Sequence, residues 1–156
     1  MVFPIFIAIT LLLLISFCVT SKRMHIFEIF FLWMISWLIT HSIAWMVFVN
    51  LKWLKLSTDL GNFWTETLGL LILYPLLVIW FFDISMLIQH KVKKYALLLL
   101  AILIIASVEF CFILLDTIIE KNWNFSYSLI KWSFIVSMSY LLWQWYRKTL
   151  CKEGLI

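Results

Sequence analysis

The strongest constraint in this chain is a set of apolar runs long enough to cross a bilayer. "LLLLAILIIASVEFCFILLD" is the clearest: no charged residue falls between Tyr95 and Val108, and then a single carboxylate, Glu109, appears. A hydrocarbon core about 30 Å thick is crossed by roughly 20 helical residues, and five stretches meet that requirement. They span about 2–20, 26–51, 62–89, 95–119 and 127–146. Backbone groups in lipid must be satisfied within the segment, so each run reads as a helix. The expectation is an all-α polytopic helix bundle in one domain, residues 1–156, with short loops and no room for a soluble module.

Composition agrees. Of the 156 residues 65% are hydrophobic and 13% charged, whereas soluble domains are about half apolar and about a quarter charged. Ten tryptophans suit a chain with two membrane interfaces. The formal charge of +4 does not indicate nucleic acid, because the basic residues form short clusters beside apolar runs and make no recognition motif. Their natural partners are anionic headgroups, which makes the lipid bilayer the first partner of this chain.

The same clusters predict the threading. The first and third loops and the C-terminal tail hold Lys22, Arg23, Lys91, Lys93, Lys94, Arg147, Lys148 and Lys152. The opposite side holds Lys52, Lys55, Lys121 and Lys131. The positive-inside rule therefore places the N-terminus outside and the C-terminus in the cytoplasm. No Lys or Arg precedes the first run, and Phe17 stands where a lipoprotein signal needs a small residue, so that run reads as an uncleaved anchor. Only three glycines are present, so close packing through small residues is not expected to be the general rule. Pro75 should kink the third span and free the carbonyl of Leu71.

Ionisable side chains inside a span cost about 2.5 to 3.5 kcal/mol at mid-helix and normally face protein or water. The candidates are Glu109, His41, Asp83, Glu28 and Asp116. Glu109 lies about 21 Å along its helix at 1.5 Å per residue, and His41 reaches a similar depth on the second span. Asp116, seven residues after Glu109, falls on nearly the same helical face. A polar layer of His41, Glu109, Thr67 and Ser133 is geometrically possible, as is a second, inner one of Glu28, Asp83 and Gln144. Two readings stay open: a proton or cation site on Glu109 tuned by His41, or a protonated glutamate acting as interhelical glue. The glue reading is the simpler. Trp33, Trp37, His41 and Trp45 recur every four residues, which fits bulky packing better than an aromatic cage. Glu66, Asp116, Glu120, Lys52, Lys55 and Lys121 read as a solvated rim.

No catalytic, metal or cofactor motif occurs. His25 and Glu28 alone do not make a metal site, and the three cysteines show no C-x-x-C spacing. The chain reads as a non-enzymatic accessory or interaction protein whose partner is another membrane protein or a second copy of itself. A small proton- or cation-coupled transporter or channel using Glu109 is the alternative. Glu28 in "HIFEIFF", the segment "VNLKWLKL", Glu109, and "NWNFSYS" with Trp123, Tyr127 and Ser128 occur in that order. This ordering resembles a family of uncharacterised small multi-pass membrane proteins from spore-forming Firmicutes. The resemblance implies a bacterial cell-membrane location and about five helices, and it supplies no reaction.

Overall fold

The computed structural model describes residues 2–56, 59–120 and 123–154. The chain is all-α in its main elements: α1 (Val2–Val19), α2 (Ile26–Leu51), α3 (Leu60–Ser85), α4 (Lys91–Leu114) and α5 (Phe125–Lys152). By length and composition α2, α3 and α4 are able to cross a membrane. The apolar part of α1 is shorter, Phe3–Val19. α5 is the longest helix but mixes Lys131, Gln144 and several serines into its apolar surface.

Local chemistry sets the helix ends. At the start of α2 the carboxylate of Glu28 accepts the His25 backbone N–H at 2.9 Å, and the His25 ring accepts from the Phe27 N–H at 3.4 Å. Orphan donors of the first turn are thereby satisfied. α3 is capped by Asp59, whose carboxylate accepts the Asn62 N–H at 3.2 Å. The last turn of α2, Met46–Leu51, is widened to π geometry and stops at Lys52, which takes a left-handed φ of 54°.

A second π turn, Gly69–Leu73, interrupts α3 just before Tyr74–Pro75, with the Tyr74 N–H reaching back to the Gly69 carbonyl. A proline inside a regular helix clashes with the carbonyl four residues earlier. Here the widened turn lies immediately upstream of that position. The expected disturbance at Pro75 therefore takes the form of a π turn.

Two connections carry structure that the all-α expectation lacks. Strands β1 (Leu54–Leu56) and β2 (Ile118–Glu120) pair antiparallel, Leu54 opposite Glu120 and Leu56 opposite Ile118. Leu54 and Ile118 point into the bundle and are buried, while Lys55 and Ile119 are exposed, the alternation of a two-stranded ribbon. The ribbon ties the α2–α3 connection to the α4–α5 connection at one end of the molecule. α4 accordingly ends at Leu114, short of the 119 expected from sequence. Asp116 follows in a left-handed turn (φ 54°) and is exposed, so it does not share a helical face with Glu109.

α2, α3, α4 and α5 close into a ring: α5 packs against α2 and α4, and α3 packs against the same two. Trp132, Tyr74, Phe82, Leu32, Ile105 and Ile135 fill its centre. α1 lies outside the ring against the first half of α3, anchored by Phe6, whose ring meets Phe112 edge-on at 5.5 Å.

The buried stripe of α2 is Glu28, Leu32, Ser36, Thr40 and Ala44, every fourth residue. Its small member Ser36 faces α5, with its hydroxyl 3.5 Å from that of Ser139. Small residues at helix contacts allow close approach in a membrane. Ser, Thr and Ala fill that role in place of the scarce glycines. Because Ser36 and Ser139 are both fully buried, Ser139→Leu should overpack the α2–α5 contact and destabilise the chain by about 1 to 3 kcal/mol. Ser36→Ala removes only a long hydrogen bond and should change stability by less than about 1 kcal/mol. Thermal unfolding of the two variants in detergent checks both.

Candidate functional site

Glu109 is buried in α4, and the neighbouring helix α5 supplies both of its partners. Lys131 forms an ion pair with Oε1, and the Trp132 indole N–H donates to Oε2 at 2.7 Å. The ammonium of Lys131 also lies over the rings of Trp132 (5.0 Å) and Trp123 (5.7 Å). Trp123 is held in turn by donating its N–H to the Ser128 hydroxyl at 2.8 Å. The lysine is thus enclosed by a carboxylate and two π faces, the environment that makes a partly desolvated cation tolerable.

Two further polar groups lie close by. Glu66 of α3 is 3% exposed, and its Oε2 has no hydrogen-bond partner among the described residues. The buried hydroxyl of Tyr74 is likewise unpartnered. Glu66 is within electrostatic reach of both Glu109 and Lys131, and Tyr74 of both carboxylates. The π turn explains why Glu66 and Tyr74 share a side of α3. Eight residues of regular helix would leave them about 80° apart, whereas one π insertion reduces the offset to about 20°. Glu66, Glu109 and Lys131 each sit about 8 to 9 Å from the ribbon end of their helices at 1.5 Å per residue. They form one layer of two carboxyl groups and a single ammonium at matching depth.

The other candidates have different neighbours. Asp83 accepts the backbone N–H groups of Arg23 (2.8 Å) and Met24 (3.1 Å), so it fixes the connection from α1 to α2. Glu28 accepts from the Trp143 indole at 3.1 Å and lies 3.7 Å from Arg147 Nε, in addition to capping α2. Glu28 and Asp83 both brace the end of the bundle opposite the ribbon, with Trp143 and Arg147 where Gln144 was a candidate. His41 accepts from the Trp45 indole at 2.7 Å and stacks on Trp37 at 5.5 Å. Thr67 donates its hydroxyl to the Phe63 carbonyl of its own helix. The candidate layer of His41, Thr67 and Ser133 around Glu109 is replaced by Lys131 and Trp132.

Two sequence readings are corrected by burial. Lys131 belongs to the interior layer, although its place near the start of a span reads as an external charge. Glu66 is buried, not part of a solvated rim. The signal for Lys131 was present: a basic residue one turn inside an apolar run, next to a tryptophan, needs an acid at matching depth. Among the described residues, no three His, Cys, Asp or Glu side chains are placed to hold a metal ion.

No family model matches the sequence, and no curated protein or solved structure matches it.

Breaking a buried ion pair from one side leaves the other charge uncompensated, at a cost of about 3 to 5 kcal/mol, while replacing both partners with apolar groups is often neutral. Lys131→Met and Glu109→Leu should each destabilise the bundle strongly. The double variant should be more stable than either single one. A double-mutant cycle on unfolding in detergent measures this, and additive losses would exclude the brace.

Proposed function

We propose that this chain is a five-span integral membrane protein, N-terminus outside and C-terminus in the cytoplasm, acting as a non-enzymatic accessory or interaction partner of another membrane component. The observation that carries the reading is the engagement of Glu109 on both oxygens, by Lys131 and by Trp132. A carboxylate held on both oxygens by a neighbouring helix braces the α4–α5 contact and leaves neither oxygen unpartnered for an exchanging ion. Glu28 and Asp83 are also engaged, at the opposite end of the bundle. The bundle is thus braced at both ends. One observation favours the rival reading of a small proton- or cation-coupled carrier: the unpartnered oxygen of Glu66 beside the pair.

The threading rests on charge asymmetry. With Lys131 paired inside the bundle, the described residues of the ribbon side retain Lys52 and Lys55, against eight basic residues on the other side. That opposite end holds a cleft of about 610 Å³ lined by Lys94, Trp143, Arg147, Lys148 and Lys152, a composition suited to the anionic headgroups of a cytoplasmic leaflet. A bacterial cell membrane is the proposed location, in keeping with the resemblance to small multi-pass proteins of spore-forming Firmicutes.

A reporter active only in the cytoplasm should signal when fused after Ile156, and one active only outside should stay silent; the opposite pattern reverses the threading. For function, crosslinking in native membrane followed by purification should recover the chain with a second membrane protein or a second copy of itself. Isolation alone, together with cation flux after reconstitution into liposomes, would instead establish the carrier.

A further inference from the structure

On the flank of the bundle, between α2 and α3, lies a cavity of about 370 Å³ lined by Trp37, His41, Trp45, Phe48, Phe63 and Glu66, among other residues. Its wall is almost wholly apolar and aromatic. Its acid is Glu66, the same buried carboxylate whose Oε2 has no hydrogen-bond partner among the described residues. The volume falls in the range of small-molecule pockets, which combine apolar walls with a few placed polar groups. His41 is committed to Trp45 and Trp37, so it holds the aromatic wall in place.

We propose that this cavity binds an amphiphilic amine, with its ammonium against Glu66 and the aromatic rings and its alkyl portion along the groove. Three observations select that chemistry. Glu66 lines the groove and carries an oxygen with no hydrogen-bond partner among the described residues, for which a cationic donor is the strongest complement. Tryptophan faces attract ammonium groups by cation–π interaction. The rest of the groove is almost wholly apolar and aromatic, so Glu66 is the acidic group there that can meet a ligand cation. No lysine or arginine lines the groove, which leaves the phosphate of an aminophospholipid without a partner. The occupant is therefore a free amine and not a lipid headgroup. This inference is independent of the accessory reading, since its test uses neither a partner nor transport.

The test uses the purified full chain in an uncharged maltoside detergent, with intrinsic tryptophan fluorescence as readout. Octylammonium should produce a saturable change, and octanol should bind far more weakly. Glu66→Gln keeps the shape of the side chain and should weaken octylammonium binding by roughly thirtyfold or more, as when one partner of a buried charge pair is removed, while octanol binding stays unchanged. Thr67→Trp, which fills the groove from its rim and leaves the carboxylate in place, should abolish both signals. Circular dichroism of each variant verifies that the helices are retained. Equal affinity of octylammonium for the wild type and Glu66→Gln, or equal binding of octanol and octylammonium, would overturn the proposal. Displacement of octylammonium by phosphatidylethanolamine in mixed micelles would overturn the choice of a free amine.

Discussion

Hydrocarbon does not tolerate a lone charge, and this bundle is registered by the pair that answers that constraint. Glu109 on α4 and Lys131 on α5 must sit at the same depth for either to be buried. Their meeting fixes how far one helix is shifted along the other. Trp132 then fixes rotation, since its indole reaches the second carboxylate oxygen while its ring packs against Tyr74 at a centroid distance of 4.8 Å. Through Tyr74 the same contact positions α3. The order of helices around the ring follows from these few groups more than from the abundant leucine and isoleucine, which lipid accommodates as readily as protein does.

The sequence reveals depth well and direction poorly. An acid alone in an apolar run has to face protein, so the inward position of Glu109 was legible. Its partner was not, because depth leaves the angle around each helix open. The buried stripe of α2 includes Thr40, and His41 is the next residue, about 100° round the helix. That single step takes it away from the ring centre and onto the aromatic flank. Lys131 and Glu66 lie close enough to the ends of their spans to be read as headgroup contacts, and only tertiary packing encloses them. Asp116 illustrates a different difficulty: apolar residues continue past the point where α4 stops, and nothing in periodicity marks Leu114 as its end.

The irregular turns are placed by chemistry that can be read once their partners are known. Gly69 lies at the start of the π turn in α3, where a Cβ would approach the Phe112 ring to 3.3 Å. Pro75 follows where the helix has already been widened. The pair lets α3 present Glu66 and Tyr74 toward the same interior layer, an outcome that a regular helix of the same sequence would not give.

The ribbon between Leu54–Leu56 and Ile118–Glu120 has a consequence for biosynthesis. The first strand emerges from the ribosome long before the second, with two complete helices between them. Until the later strand arrives, the earlier one exposes an unpaired edge, and such an edge is open to pairing with a foreign strand. The ribbon is therefore a late-closing clasp. It joins the α2–α3 and α4–α5 helix pairs and closes only once α3 and α4 have been made.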